Sequence, residues 1–221
     1  MVITGASGGL GISVVRHFLD RGAIVHAPMV EAKPPPHLTQ ERVHATPSID
    51  LVDEVQVAAY YASVPSLWAS VHLVGGFVWK ALADTTLADL DQMHALNTRT
   101  TFLACREAVA AMRRGGHGGR LVNVIARPAL VPTPNLVAYA AAKAAVAAIT
   151  QTLAAELVAE GIFCNAVAPS IIDTPANRAS MPNADFETWP KPLELAHAIA
   201  DLASPDNMVT SGALVPVYGR A

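Results

Sequence analysis

Short apolar runs along the chain alternate with longer stretches in which apolar residues recur every three or four places. Runs at 1–4, 23–27, 71–74, 120–125, 162–168 and 212–217 predict strands, with a weaker one near 42–45. Helical spacing predicts helices over about 12–21, 51–62, 87–112, 138–157 and 193–203. The 87–112 helix has a capped start, and the 138–157 helix is rich in Ala with no Gly or Pro inside it. Gly22 stops the first helix, 115–119 is a flexible break, and the three prolines in 33–37 make that segment extended rather than helical. Strand alternating with helix throughout predicts an α/β fold: a doubly wound, mostly parallel sheet covered by helices on both faces. Residues 171–192, rich in Pro, Asn and Met, read as a long loop with short helices, a candidate lid over a site.

Composition narrows the class. At 221 residues, 52% hydrophobic and 15% charged, the chain suits one globular domain, 1–221, with a sizeable core. A net charge of −3 gives no basic footprint, so nucleic acid is not an expected partner. No apolar run is expected to approach the roughly 20 residues that span a bilayer, so no membrane partner is expected. The first residues lack the features of a signal peptide, which points to the cytoplasm. The first strand has little room before it. Cys105 and Cys164 lie in apolar stretches far apart in sequence and read as buried thiols rather than a disulfide. The eight histidines are scattered, and no metal site is expected.

Candidate chemistry lies at both ends. Tyr139 and Lys143 are four residues apart and share one face of a helix. An ammonium near a phenol favours the phenolate, so Tyr139 is expected to ionise more easily and to serve as a proton donor or acceptor. At the other end, strand, Thr-Gly-Ala-Ser-Gly-Gly-Leu-Gly (4–11) and helix follow in the order of a dinucleotide site. Gly5 would make the tight turn, Gly9 would admit a pyrophosphate, and Gly11 would let the helix pack closely. The second strand ends at Pro28-Met29, without the acid that selects NAD, and Glu31 and Lys33 beyond it read equally well as solvated loop charges. NAD or NADP is therefore left open. Asp50 with Leu51 either brackets an adenine or caps the 51–62 helix. Gly75-Gly76, at the end of a strand, suggest a backbone that a ligand approaches closely. Asn97 interrupts an apolar helix and, if it points inward, must find a partner.

Together, residues 4–11, Asn97, Tyr-Ala-Ala-Ala-Lys (139–143) and Asn-Ala-Val-Ala-Pro-Ser-Ile-Ile-Asp-Thr (165–174) resemble the short-chain dehydrogenase/reductase family over essentially the whole chain. The resemblance implies a seven-stranded Rossmann sheet and an NAD(P)-dependent oxidoreductase. Tyr139 would be the acid/base, Lys143 would hold the nicotinamide ribose, and Asn97 would anchor a relay water. Gly5, Ser7, Gly8, Gly9, Leu10 and Gly11 would line the phosphates, and Asp50 and Leu51 the adenine. Gly75, Gly76, Pro169, Ile172 and Thr174 would meet the nicotinamide half. Ala126, Arg127, Phe77 and Arg178 are the candidate substrate contacts.

The family's catalytic serine falls on Ala126 here, and its Asn-Asn-Ala-Gly turn is replaced by Leu73-Val74-Gly75-Gly76. Both departures, with residues 173–189, resemble the quinonoid dihydropteridine reductase branch, whose electron-poor substrate needs less help from a second donor. The expected reaction is hydride transfer to a small carbonyl, imine or quinonoid, pteridine-like substrate. Ala126 and Pro28 keep two alternatives open: a coenzyme-binding regulatory protein with impaired catalysis, and a non-redox protein. Apolar positions on several faces of 97–112 and 139–157, with small residues at Ala144, Ala147, Ala148 and Ala155, suggest helix packing between subunits. The family resemblance makes that a homodimer or homotetramer.

Overall fold

Strands that bury both faces carry continuous apolar runs. The computed structural model, which describes residues 1–220, shows this in β1 (Val2–Thr4), where Val2 joins one apolar layer and Ile3 the other. β1, β2 (Val25–Pro28), β3 (Val43–Thr46), β4 (Ala69–His72), β5 (Gly119–Val124), β6 (Ile162–Pro169) and β7 (Leu214–Val217) form one parallel sheet in the order β3-β2-β1-β4-β5-β6-β7. One face is covered by α1 (Gly9–Asp20) and α7 (Pro192–Ala203): Val14, Val15, Phe18, Ala196 and Ile199 pack on Ile3, Val25, Val71 and Val122. The other face takes α2 (Glu54–Ser63), α4 (Thr100–Gly115) and α5 (Val137–Leu157), where Val57, Tyr61, Leu103 and Leu157 pack on Val2 and Leu121. Strand order reverses between β1 and β4, and ligands of such sheets lie in the crevice outside the strands' carboxyl ends at that point.

The elements match the alternation expected from sequence, and their boundaries differ where a polar group or a turn intervenes. α1 starts at Gly9, three residues early, so the glycines form its first turn. β4 ends at His72 instead of 74, because the chain then turns off toward Asn97. Asp50 is not the cap of α2. Asp53 is, its carboxylate accepting from the Val55 and Gln56 amides at 2.9 and 3.1 Å, while Asp50 accepts from the Val52 amide two residues on. Within 33–37, expected to be wholly extended, Pro36 opens a single 3-10 turn (Pro36–Leu38), since a first helical position has no N–H to lose. The 87–112 helix is three joined segments: α3 (Leu87–Met93), capped by Thr86, a π-helical stretch (His94–Arg99), and α4. The lid region holds α6 (Pro175–Ser180) and a 3-10 turn (Phe186–Thr188).

One expectation needs correction. Val137–Glu160 is long and apolar enough to cross a membrane by length and composition, contrary to the reading that no run approaches that length. In this fold its Val146, Ala147, Ala154 and Leu157 are buried against the sheet layers. Cys105 and Cys164 are free and buried within the apolar cluster, as expected, and each also touches a buried polar group. Cys105 Sγ is 3.5 Å from Asn123 Oδ1, and Asn123 Nδ2 reaches Cys164 Sγ at 3.8 Å and Thr150 Oγ1 at 2.9 Å. His72 and Asn123 are paired across β4 and β5, so they share a face. A buried chain of hydrogen bonds runs from Tyr61 through Ser70 and His72 to Asn123. Buried polar groups pair in this way because desolvation without a partner is costly.

Candidate active site

After β1 the chain doubles back at Gly5, which takes φ +68°, and a Cβ there would stand 2.9 Å from the Val74 amide nitrogen. The Gly8 amide closes the turn on Gly5 O at 3.1 Å. A Cβ on Gly11 would overlap the carbonyl oxygens of Gly5 and Ala6, so glycine is what lets α1 lie on the turn. The first helical bond runs from Ile12 N–H to Gly8 O, and among the described residues the amides of Gly9, Leu10 and Gly11 ahead of it have no backbone acceptor. Free amides with a positive dipole end form an anion site. Thr174 borders it, with its methyl 3.2 Å from where a Gly9 Cβ would be.

Beside this turn lies a cavity of about 180 Å³ lined by Gly5, Ser7, Pro28, Met29, Glu31, Asp50, Leu51, Val74, Leu96 and Thr100, among others. Asp50 and Leu51 are thus brought to the glycine turn as expected. Glu31, which sequence left as a possible loop charge, also lines it and accepts a hydrogen bond from Ser7 Oγ at 2.8 Å. Leu96 and Thr100, one residue before and three after Asn97, line it too, without a signal in the sequence. A phosphate cradle joined to a pocket of this kind fits a dinucleotide.

Tyr139 and Lys143 lie one turn apart on α5 at the carboxyl edge of β5. Lys143 is 5% exposed and donates from Nζ to Val124 O at 2.8 Å, with Nζ 6.0 Å from the centre of the Tyr139 ring. Burial lowers the Lys143 ammonium to about 8 and raises the Tyr139 phenol to about 12. The expectation of an easily ionised tyrosine is therefore corrected. Desolvation of the phenolate outweighs an ammonium that is turned toward a strand carbonyl.

Asn97 is fully buried within the π-helical stretch. Its Oδ1 accepts from the Gly76 amide at 3.3 Å, and its Nδ2 donates to Gly76 O at 3.2 Å and Met93 O at 2.9 Å. Both amide hydrogens are taken, which leaves Oδ1 as the atom able to receive a further donor. A Cβ on Gly75 would stand 2.6 Å from Asn97 Oδ1 and 3.2 Å from Lys143 Nζ. Gly75 and Gly76 thus make room for the protein's own side chains. Thr98 Oγ1 donates to Ala142 O at 3.1 Å and fastens this stretch to α5. Phe77 meets Tyr139 edge to face at 5.0 Å and Trp79 at 6.5 Å, and both Phe77 and Trp79 are more than half exposed. Trp79 was not singled out from sequence, and an aromatic two residues from Phe77 was the available clue.

Ala126 is buried at the exit of β5. Pro169 ends β6, and Ile172 O receives both the Thr174 amide and Asn177 Nδ2 at 2.8 Å. The two arginines considered as substrate contacts are engaged elsewhere. Arg178 pairs bidentately with Asp173 and lies over the Phe186 ring, and Arg127 lies over the Tyr218 ring. Asp173 also takes Lys191 at 2.8 Å, and these bonds, Arg178 first, hold its carboxyl well below the usual range. One buried carboxylate thereby ties both ends of the 173–191 segment together.

The family model for short chain dehydrogenases matches residues 1–185. The chain belongs to the short-chain dehydrogenase family. As a member it is an NAD(P)-dependent oxidoreductase. It is 28% identical to 2-(R)-hydroxypropyl-CoM dehydrogenase of Xanthobacter autotrophicus, covering 99% of this chain and 96% of the relative. It is 29% identical to glucose 1-dehydrogenase of Gluconobacter oxydans, over 99% and 90%. Among solved structures, ElxO with NADP bound superposes with a TM-score of 0.89 at 24% identity, over 99% of this chain and 96% of that one, which shows the shared fold.

Proposed function

We propose that this dehydrogenase transfers hydride between its coenzyme and a small carbonyl, imine or quinonoid, pteridine-like substrate, with Tyr139 as acid/base. The observation that carries the reading is the convergence of Tyr139, Lys143 and Asn97 at the carboxyl edge of the sheet, beside the glycine turn. Gly5 and residues 7–11 cradle the pyrophosphate, with the unpaired amides of Gly9, Leu10 and Gly11 as donors. Asp50 and Leu51 border the adenosine. Pro169, Ile172 and Thr174 close the nicotinamide end. When bound, nicotinamide supplies or accepts the hydride. At neutral pH Tyr139 is a phenol and Lys143 an ammonium, so Tyr139 Oη donates a proton to the substrate's oxygen or nitrogen in reduction and takes it back in oxidation. Lys143 Nζ, already bonded to Val124 O, offers its remaining hydrogens to the ribose.

The finer substrate reading rests on Ala126 and Phe77. A methyl group at Ala126 supplies no second donor to polarise an ordinary carbonyl, a loss of roughly 10²–10³ in rate where one is needed. An already electron-poor ring needs it least, and Phe77, edge to face with both Tyr139 and Trp79, offers an exposed apolar aromatic surface beside Tyr139. The test is coenzyme titration followed by turnover on a panel of carbonyl, imine and quinonoid acceptors, for wild type and Tyr139→Phe. Tyr139→Phe is expected to abolish turnover and leave coenzyme affinity nearly unchanged. Full activity in the variant would remove Tyr139 from the reaction, and binding without turnover in wild type would point to a coenzyme-binding protein.

We further propose a homodimer or homotetramer through α4 and α5. Ala144, Ala148 and Ala155 are exposed on α5, and Phe102 of α4 is 48% exposed. Ala147, which had been placed on the same contact face, is buried in this subunit's own core.

A further inference from the structure

The segment 173–191 begins beside the glycine turn, and Asp173 gathers both of its ends. The Asp173 N–H donates to Pro190 O at 3.0 Å, and its Oδ2 accepts from Lys191 Nζ at 2.8 Å. Its Oδ1 accepts from Arg178 Nε at 2.5 Å, and Oδ2 also accepts from Arg178 Nη2 at 2.8 Å. The Asp173 side chain is only 6% exposed, so both ion pairs are formed on a nearly buried carboxylate. The two cations carry the closure outward. The Arg178 guanidinium lies 4.7 Å over the Phe186 ring, Lys191 Nζ donates to Phe186 O at 2.9 Å, and Phe186 packs on the buried Trp189. The chain after β7 holds the same loop from behind: Arg220 N–H donates to Thr188 O at 2.8 Å, and a Cβ on Gly219 would stand 2.6 Å from that oxygen. Thr174 follows Asp173 directly, with its methyl against Gly9. Its Oγ1 accepts from the Asn177 amide at 3.3 Å, and among the described residues the hydroxyl hydrogen has no protein acceptor.

We propose that Asp173 is a positioning residue for the coenzyme: by closing 173–191 on itself it seats Thr174 on the glycine turn. The proposal rests on the coenzyme lying at that turn. A long segment rich in Pro and Asn is costly to order, and a ligand that had to order it would bind more weakly by that cost. Bonds among the segment's own groups meet the cost in advance. Charged hydrogen bonds to a nearly buried carboxylate are strong enough to do so, although the half-exposed Arg178 and Lys191 reduce their worth through screening. Among the described residues none of 173–191 joins the apolar clusters that hold the sheet to its helices. The segment can therefore open without unfolding the core, which separates the role of Asp173 at the site from a role in global stability.

Three measurements on wild type, Asp173→Asn and Lys191→Gln test it. Chymotrypsin cleavage after Phe186, followed by mass spectrometry, reads local opening, urea unfolding reads the whole fold, and calorimetric titration with NAD and with NADP reads the coenzyme site. Asp173→Asn keeps the shape and removes the charge. It is expected to speed the cut about 10-fold and to weaken whichever coenzyme wild type binds about 10-fold, with the urea midpoint nearly unchanged. Lys191→Gln removes one of the two cations and should move cleavage and affinity the same way by a few-fold only. Saturating coenzyme should restore protection to Asp173→Asn, because binding and closure are linked. An unchanged cleavage rate in Asp173→Asn would overturn the latch. Faster cleavage with unchanged coenzyme affinity overturns the positioning role, and so does a fall in the urea midpoint large enough to account for the faster cut. Binding of neither coenzyme by wild type would overturn the positioning role together with the coenzyme site on which it rests, while the cleavage rates still read the latch by itself.

Discussion

Replacing Lys143 by methionine should stabilise the fold while weakening the site. Burial lowers the Lys143 ammonium from its ordinary 10.5 to about 8. At about 1.36 kcal/mol per pKa unit, holding that ammonium in the core costs roughly 3 kcal/mol at pH 7. Opposing this is the bond to Val124 O. The β4–β5 ladder stops at His72–Asn123, and Lys143 takes the Val124 carbonyl beyond it at 2.8 Å. Losing that bond costs about 1–2 kcal/mol. Lys143→Met should therefore gain roughly 1–2 kcal/mol at pH 7. The sign of the pH dependence follows from the folded pKa lying below the unfolded one. The unfolded chain holds the proton longer, so wild-type stability rises with pH from about 8 to about 10.5. By pH 9.5 the penalty falls to about 1 kcal/mol, so the difference between the two proteins should move by about 2 kcal/mol in favour of wild type. Urea unfolding of both proteins by circular dichroism at pH 7 and 9.5 measures it, with coenzyme titration at pH 7 expected to show weaker binding by the variant. A stability difference that is the same at both pH values would refute the buried-charge account.

Ala126→Ser restores a hydroxyl at the exit of β5 and should raise turnover on an ordinary ketone by up to about 10²–10³ while changing little for a quinonoid acceptor. Equal ketone rates in the two proteins would show that some other group already polarises the carbonyl. Phe102→Asp puts a charge on an exposed apolar position of α4 that borders the same depression as Ile149 of α5, and light scattering at micromolar concentration should show a shift toward monomer with turnover per site retained or reduced. A monomeric wild type would end the proposal of subunit packing through α4 and α5.

What sequence could show was what depends on near neighbours. The period of apolar positions located all seven strands, including the weak one at 42–45, because each strand's runs answer to burial on its own two faces. The glycine turn was legible for a similar reason: φ at Gly5 and the overlap at Gly11 involve only the turn itself and the residues packed on it. What stayed hidden depends on partners distant along the chain. Glu31 reads as loop charge until the 46–49 backbone is seen to hold it at the cavity, and Asp50 reads as a cap until Asp53 is seen to take that place. The Tyr139–Lys143 spacing is a fact of one helix. The direction of the Tyr139 shift is not, because it depends on how deeply α5 is buried among α3, the π-helical stretch and the sheet.

Gly75 shows how these levels meet. In sequence it is one of two small residues after a strand and suggests a ligand at the backbone. In the fold, the position of its missing Cβ lies 2.6 Å from Asn97 Oδ1 and 3.2 Å from Lys143 Nζ. The π-helical stretch carries Asn97 inward, its amide grips Gly76, and the same gap admits the lysine that reaches Val124. Three irregularities, a shortened β4, a widened helix turn and a glycine, therefore serve one end. They forgo a strand pair and a regular helix turn, and the gap they leave admits a buried ammonium that costs roughly 3 kcal/mol. A core built for stability alone would fill that gap with an apolar side chain. That the fold tolerates all three at the carboxyl edge of the sheet, beside the glycine turn, is the physical reason to place the chemistry there.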